Sequence, residues 1–228
     1  MKIVYEDKDQ IVIHKPAGVA TQTARLGEKD LVSEVKNHIA KESGSNNPYV
    51  AVINRLDQPV EGIVLFAKNA KAAAALTSQL QNGSMQKSYY AVVFGHMDMP
   101  KGQLIDYMEK DARSNLSRVV SETSPNGKKA ILSYEVKATV GKMQFLQIQL
   151  LTGRHHQIRV QFSHREHPLI GDSKYGSTES ISLGREMNVR VPALCACQLK
   201  WKHPVTKKDL CVNISPDNPL MQGLSDYQ

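Results

Sequence analysis

The sequence is short of the features that mark secreted and membrane proteins. It holds three cysteines among 228 residues, an odd number that argues against a disulfide framework and fits a reducing compartment. The N-terminus has no apolar core of signal-peptide length, and no apolar run approaches the length of a membrane span. Repeats, low-complexity tracts and linkers are also missing. These absences predict a cytoplasmic protein without a membrane partner.

Charge and length bound the remaining possibilities. Lys and Arg number 29 against 22 Asp and Glu, which gives a net charge of +7 and a pI near 9.2. This excess suits a polyanionic partner such as nucleic acid, although basic proteins without such partners are common. A chain of this length suffices for one large domain with an ample core. We predict a single domain over residues 1–228, acting as a monomer.

Capping residues and hydrophobic spacing predict an α+β fold. Asp30 and Asn69 each precede a helical pattern, the second over residues 70–81, and another short helix is expected to start near His156. Alternating apolar residues bounded by turn residues predict strands. The arrangement is typical of an α+β domain with a mostly antiparallel sheet. The predicted strands cover residues 3–5, 11–14, 87–94, 103–108, 116–120, 130–140, 143–150, 193–201 and 210–214.

One turn stands out between two apolar runs. Residues 51–53 lead into it and residues 63–67 lead out, so we expect a loop between two buried strands. The turn carries the carboxylate of Asp57, while Pro59 and Gly62 prevent either strand from continuing. A loop of this kind can hold a reactive side chain in a fixed position on a rigid scaffold. An ordinary surface acid is the alternative, since Asp favours turns.

Several motifs, taken together and in order, resemble the RluA-type pseudouridine synthases. Each motif alone is a weak signal, but their occurrence in this order makes the resemblance specific. The resemblance extends from about residue 3 to residue 214. The motifs are His-Lys-Pro-Ala-Gly at 14–18, Arg-Leu-Asp at 55–57, Lys-Ser-Tyr-Tyr-Ala at 87–91, Thr-Gly-Arg-His-His-Gln-Ile-Arg at 152–159, Gly-Asp-Ser-Lys-Tyr-Gly at 171–176 and Leu-Lys-Trp-Lys-His-Pro at 199–204.

The resemblance implies a fold and a reaction. The fold is a central mixed, mostly antiparallel sheet with flanking helices and a catalytic cleft. The activity is that of an isomerase, an RNA pseudouridine synthase that flips specific uridines out of structured ribosomal or transfer RNA and converts them to pseudouridine. Because the reaction involves no redox change and no external atom, we expect no cofactor and no metal. The RNA and the position modified stay open.

The resemblance also assigns residue roles. Asp57 becomes the catalytic carboxylate, as nucleophile or base, Tyr89 stacks on the target base, and Arg159 lies against the acid and keeps it ionised. A planar guanidinium at position 55 would occupy the space that the flipped uridine vacates. The remaining residues wall the base pocket or contact phosphate. The expected substrate-binding residues are Arg55, Leu56, Ile158, Arg154 and Lys15.

Each assignment has a structural alternative. From position alone, Tyr89 in a β run belongs to the core, and Arg159 pairs with any surface acid. Lys15 and Arg154 are phosphate contacts or solvated charges. The Cys-x-Cys pattern of Cys195 and Cys197, with Cys211 and His203 further along, suggests zinc, but packing is favoured because free cysteines are usually buried.

The chain departs from the family pattern at several positions. Asn54 stands where many members have His before Arg-Leu-Asp. Val60 and Glu61 replace Thr-Ser before the glycine, and His155 replaces Thr. Glu61 adds a second carboxylate four residues after Asp57, so the detailed hydrogen bonding of this loop is not carried over from the family, whereas the Asp, the Tyr and the Arg are retained.

Two other functional classes stay open. A glycosidase could use Asp57 and Glu61 as its carboxylate pair, although the basic charge and the low aromatic content, 6%, disfavour a sugar platform. A catalytically silent RNA-binding protein is the other alternative, because the loop sequence is altered. RNA binding without isomerisation would identify the second class.

Overall fold

The computed structural model describes residues 1–23 and 30–225. These residues contain eleven strands and five helices, which confirms the α+β class. The strands are β1 Lys2–Glu6, β2 Gln10–Lys15, β3 Ala51–Val52, β4 Glu61–Ala67, β5 Gln86–Phe94, β6 Lys101–Asp111, β7 Leu116–Val120, β8 Lys128–Val140, β9 Met143–Leu150, β10 Leu194–Lys202 and β11 Asp209–Asn213. The helices are α1 Leu31–Ser43, α2 Ala70–Gln81, α3 Gln157–Ser163, α4 Thr178–Glu186 and α5 Pro219–Ser225.

The chain divides into two compact units. The first is Met1–Gln86 with Ala196–Ser215, and the second is Lys87–Cys195 with Pro216–Gln228. Each unit is therefore built from two separate stretches of the chain, since residues 196–215 belong to the first unit although the stretch before them belongs to the second. A single catalytic domain over residues 1–228 stays a prediction.

The sheet of the first unit has the strand order β1-β2-β4-β10, with β3 paired to β4 and β11 to β10. Strands β2 and β4 are antiparallel, and their register places Lys15 opposite Gly62. The core packs around buried side chains from this sheet and from α2, including Val12, Leu65, Leu76 and Trp201. Full burial of such a side chain is worth about 1.5–3 kcal/mol, so this core stabilises the strands that border the Asp57 turn.

The capping residues of the first two helices act as the sequence predicts. Asp30 accepts a hydrogen bond from the Ser33 amide at 2.8 Å, and Asn69 accepts one from the Ala72 amide at 2.9 Å. Helix α2 has the bounds expected from the sequence, Ala70–Gln81. Each cap satisfies an amide that has no partner within its helix.

The sheet of the second unit has the order β5-β9-β8-β6-β7, and every neighbouring pair in it is antiparallel. Helix α3 begins at Gln157, next to the predicted start at His156. Helices α4 and α5 were not predicted from the sequence. Helix α4 has only nine residues and contains Gly184, which lowers helix propensity.

The strand that precedes Asp57 is shorter than expected. Strand β3 has two residues, Ala51 and Val52, and both are half-buried. Strand β4 is buried along its whole length. The expectation of a loop between two buried strands is therefore wrong for the first strand. Among the described residues, the helices are all too short or too polar to cross a bilayer.

Candidate active site

Asp57 lies in a tight turn that leads into β4. The turn is closed by a hydrogen bond from the Val60 amide to the Asp57 carbonyl oxygen at 3.0 Å. The Asp57 side chain is half-buried, Arg55 is exposed and Leu56 is buried. The turn therefore offers a carboxylate at the boundary between core and solvent, beside an exposed guanidinium.

Gly62 follows the turn because no other residue fits there. Its φ is +133°, and a Cβ at this position would lie 2.5 Å from the amide nitrogen of Ala196 in β10. A side chain would therefore both strain the backbone and collide with the next strand. The glycine of the sequence motif is explained by this close approach.

The segment from Lys15 to Gly18 holds the carbonyl that follows Asp57. The Lys15 ammonium donates to the carbonyl oxygens of Pro16, Val19 and Gln58 at 3.0, 2.7 and 3.1 Å. The Gly18 amide donates to the same Gln58 oxygen at 2.8 Å. The Gln58 carbonyl thus receives two donors, which fixes the C-terminal side of the turn.

Lys15 is not the solvated charge that its sequence position suggested. Its side chain is 0% exposed, and three backbone carbonyl oxygens accept hydrogen bonds from its ammonium group, which offsets part of the cost of burial. Burial lowers the pKa of Lys15 to about 8, and the charges of Asp57 and Glu61 oppose this shift. The expectation of a solvated charge is therefore wrong, and substrate binding by Lys15 stays a prediction.

The lowered pKa predicts how stability depends on pH. Because the folded value lies below the unfolded one, 10.5, the unfolded state binds more protons between the two values. The contribution of Lys15 to unfolding free energy therefore rises with pH from about 8 upward, by about 2 kcal/mol at pH 10. Urea unfolding of the wild type and of Lys15→Met at several pH values from 7 to 10 gives the unfolding free energy of each protein. The difference between the two free energies at each pH measures the contribution of Lys15. A difference that stays constant over this range would contradict the assignment.

Glu61 and His14 form a buried pair beside the turn. The His14 Nε2 lies 4.0 Å from a Glu61 carboxylate oxygen, and the two residues are 1% and 4% exposed. Glu61 also acts electrostatically on Lys15. The second carboxylate is therefore part of the packed surroundings of the turn and not a solvent-facing acid.

Asn54 fastens the start of the turn to β4. Its amide nitrogen donates to the Ile63 carbonyl oxygen at 3.0 Å, and its side-chain oxygen accepts from the Leu65 amide at 2.8 Å. The side chain is buried. Asn54, which stands where many family members have His, thus connects the loop to the strand that follows it.

In the second unit, Arg159 makes a bidentate ion pair with Asp172. Its Nε and Nη2 donate to the two carboxylate oxygens at 2.6 and 2.7 Å, and the two side chains are 3% and 0% exposed. The Arg159 guanidinium also lies 5.1 Å from the centre of the Tyr175 ring. The position of Arg159 beside Asp57 stays a prediction, whereas its pairing with the Asp of the Gly-Asp motif is observed.

Tyr175 connects the helix that carries Arg159 to strand β7. Its hydroxyl accepts from the Ser117 amide at 2.9 Å and lies 2.7 Å from His156 Nδ1. The hydroxyl thereby links a backbone amide of β7 to the imidazole of His156, and in the second contact either partner can be the donor. The rings of His155 and His156 stack with centroids 3.7 Å apart. The His at the Thr position is thereby packed into this network.

The other predicted residues of the second unit differ in exposure. Tyr89 in β5 and Ile158 in α3 are 7% and 4% exposed. Arg154 is exposed, and its Nε donates to the Lys129 carbonyl oxygen at 2.8 Å. Arg154 is therefore oriented on the surface, as a phosphate contact requires, and its role stays a prediction.

Among the described residues, the positions of the three cysteines and of His203 bear on the zinc alternative. Cys195 and Cys197 are buried in β10, as packing requires, and Cys211 is exposed. Asp7, Asp9 and His203 do lie close together. However, His203 Nδ1 accepts from the amides of residues 205 and 206, so its Nε2 carries the proton that it donates to Asp7 at 3.0 Å. In this tautomer neither ring nitrogen is a metal ligand.

Comparison with known proteins identifies the family. A family model described as RNA pseudouridylate synthase matches residues 9–164, which include the Asp57 turn, β5 and helix α3. The chain belongs to the RNA pseudouridylate synthase family. This confirms the resemblance drawn from the motifs.

Named relatives support the same conclusion. Ribosomal large subunit pseudouridine synthase D of Vibrio cholerae is 34% identical over 218 residues, which are 92% of this chain and 65% of that protein. The RNA pseudouridine synthase YhcT of Bacillus subtilis, described as uncharacterized, is 32% identical over 226 residues, 98% of this chain and 71% of that protein. Transfer RNA pseudouridine synthase C of Vibrio cholerae is 27% identical over 239 residues and is covered to 96%. The chain thus spans about two thirds of the first two relatives.

Solved structures share the fold. Human RNA pseudouridylate synthase domain containing 4 superposes with a TM-score of 0.79 at 20% identity, covering 99% of this chain and 92% of that one. The human domain containing 1 gives 0.76 at 21% identity, with coverage of 99% and 86%. At this identity the likeness establishes the fold, which confirms the pseudouridine synthase fold expected from the motifs.

Proposed function

We propose that this protein converts uridine to pseudouridine in structured RNA, with Asp57 as the reacting carboxylate. The observation that carries the proposal is the Asp57 turn itself. It stands at the family's motif position, its carboxylate is half-buried, and the carbonyls of Leu56, Asp57 and Gln58 are all hydrogen-bonded. A carboxylate on so constrained a backbone is preorganised for chemistry.

The reaction balances without a cofactor. The bond between C1′ of the ribose and N1 of uracil breaks, the base turns, and C5 bonds to C1′. C5 then loses its proton, N1 gains one, and the product is an isomer of the substrate. Asp57 acts on the ribose as a nucleophile or as a base. Both routes need an ionised carboxylate at a fixed distance from the sugar.

The other residues take supporting roles in this proposal. Tyr89 stacks on the base, Arg159 interacts with the reacting carboxylate, and Leu56 and Ile158 make apolar contacts with the base. The burial of Tyr89, Leu56 and Ile158 suits residues whose rotamers are locked by packing. The exposed Arg154 suits a contact with the phosphate backbone.

The substrate is ribosomal or transfer RNA. Relatives named for the large ribosomal subunit and for transfer RNA both align with more than nine tenths of this chain. The net charge of +7 favours association with a polyanion. We propose that a monomer binds the RNA.

The test is direct. Purified protein is incubated with total RNA from cells that lack the gene, and pseudouridines are mapped before and after incubation. New pseudouridine at defined positions supports the proposal and identifies the RNA. Tight RNA binding without any new pseudouridine would identify a silent RNA-binding protein, and release of free uracil would identify a glycosidase.

Arg55 gives a prediction about base flipping. Its side chain is exposed next to Asp57, where a planar guanidinium can fill the stack that the uridine leaves. Because flipping from a folded RNA costs a few kcal/mol, Arg55→Ala should lower turnover at least about tenfold on a folded RNA. On a flexible single strand the loss should stay within about threefold, since no stack has to be refilled.

A charge-preserving variant separates stacking from electrostatics. Arg55→Lys keeps the charge and loses the plane, so it should resemble Arg55→Ala on folded RNA. Single-turnover pseudouridine formation on both substrates measures the effect. Equal losses on the two substrates, or full activity of Arg55→Lys, would show that only the charge matters.

A further inference from the structure

Thr21 contacts the backbone directly before Asp57. Its side chain is 4% exposed, and its hydroxyl donates to the Leu56 carbonyl oxygen at 3.0 Å. The same oxygen atom of the hydroxyl accepts from the Leu56 amide at 3.3 Å. The Leu56 carbonyl belongs to the peptide unit that joins Leu56 to Asp57. One side chain thus satisfies both backbone groups of the residue before the reacting carboxylate.

The position of this hydroxyl is itself fixed by helix α1. The Thr21 carbonyl accepts from the Val32 amide at 3.2 Å, and the Ala20 carbonyl accepts from the Leu31 amide at 3.0 Å. The side chain of Asp30, which caps α1, also accepts from the Thr23 amide at 2.7 Å. Residues 20–23 are therefore bound to the first turn of α1, which gives Thr21 a rigid base.

We propose that Thr21 is a positioning residue for Asp57, holding the Leu56–Asp57 peptide so that the carboxylate points where the ribose binds. The proposal rests on the proposed function, because it takes Asp57 as the reacting group. Lys15 and Gly18 hold the Gln58 carbonyl on the other side of Asp57. The peptide after Asp57 is therefore already held in place, and the Thr21 hydroxyl restrains rotation of the peptide before it. A displacement of about 1 Å at a reacting group costs roughly 100-fold in rate.

Only a hydroxyl can serve both backbone groups. A Val side chain has the same shape, but it would leave the Leu56 amide and carbonyl buried without their partner, at about 1–3 kcal/mol each. The turn would move to recover these hydrogen bonds. A Ser side chain keeps the donor and the acceptor and loses only a methyl group, so it should preserve the geometry.

The experiment compares Thr21→Val, Thr21→Ser and a control that only destabilises. Asn69→Ala removes the cap of α2 in the same unit, at a cost of about 1 kcal/mol, without touching the turn. We expect Thr21→Val to lower turnover at saturating RNA by about tenfold or more with an unchanged half-saturating concentration. Thr21→Ser should stay within about threefold of the wild type, and Asn69→Ala should keep full turnover.

Amide hydrogen exchange provides a readout that does not depend on activity. Thr21→Val should accelerate exchange at the Leu56 amide by about tenfold or more and leave the amides of α2 unchanged, since only the turn loses a hydrogen bond. Unchanged turnover together with unchanged exchange at Leu56 would overturn the positioning role. Unchanged turnover with faster exchange would overturn it too, since a loosened turn would then still react. A wild type that forms no pseudouridine would instead overturn the proposed function.

Discussion

Asp57→Asn abolishes pseudouridine formation, to the detection limit, if Asp57 is the reacting carboxylate. The substitution keeps the size and much of the hydrogen bonding of the side chain, but it removes the charge and most of the basicity. The hydrogen bonds that shape the turn use backbone atoms of residues 56–58, so the turn should keep its form. Tritium release from RNA labelled at C5 of uridine measures the loss, because isomerisation exchanges that hydrogen.

Glu61→Gln is the matched control for this experiment. Glu61 is 4% exposed and, like Asp57, acts electrostatically on Lys15, so it is the neighbouring carboxylate most easily mistaken for the reacting one. Because its side chain is packed near His14 and Lys15, Glu61→Gln should retain substantial turnover. Tritium release that survives in Asp57→Asn and is lost in Glu61→Gln would show that the wrong carboxylate was chosen.

Binding of RNA should separate from chemistry in the same variants. We expect most of the affinity to come from phosphate contacts at exposed cations such as Arg154, and Asp57→Asn leaves these side chains unchanged. The dissociation constant for folded RNA should therefore stay within about threefold of the wild-type value. A large loss of affinity would mean that the variant disturbs the fold, and its loss of turnover would then say little about Asp57.

Local signals predicted most elements of the fold. The caps Asp30 and Asn69 and the alternation in residues 143–150 depend on neighbours within a few positions, and the structure confirms these helices and this strand. Helix α4 was missed because it is short and contains Gly184, so its stability comes from packing. The length and burial of the two-residue strand β3 were overestimated, since an apolar run does not show where strand pairing ends.

The site was only partly predictable, because its important contacts join distant residues. Motif order proposes Asp57 as the reacting group, but it does not indicate that the hydroxyl of Thr21 contacts Leu56, 35 residues away in sequence. No periodicity signals such a contact. Lys15 appeared in the sequence as a surface cation, since Lys is almost never fully buried without partners. Its partners are backbone carbonyls, which every residue possesses, so sequence gives no sign of them.

Asp172→Asn should strongly destabilise the protein. The Arg159–Asp172 pair is almost completely buried, and Asp172 also accepts from the amides of Lys174 and Tyr175 at 2.9 and 3.2 Å. Removing one partner of a buried ion pair leaves a charge without compensation, at a cost of about 3–5 kcal/mol. We expect the unfolding free energy from urea titration to fall by about this amount.

A second bidentate pair in the same unit provides the comparison. Arg165 donates to both carboxylate oxygens of Asp106 at 2.8 and 3.0 Å, but the Arg165 side chain is 30% exposed. Water can solvate that guanidinium when its partner loses charge, so Asp106→Asn should cost only about 1 kcal/mol. The two pairs share residue types and bidentate contact, although Arg159 uses Nε and Nη2 and Arg165 uses Nη1 and Nη2, and they differ in the burial of the guanidinium. If both variants lost the same stability, burial of Arg159 would not be what makes Asp172 indispensable, and the amides of residues 174 and 175 would have to account for the effect.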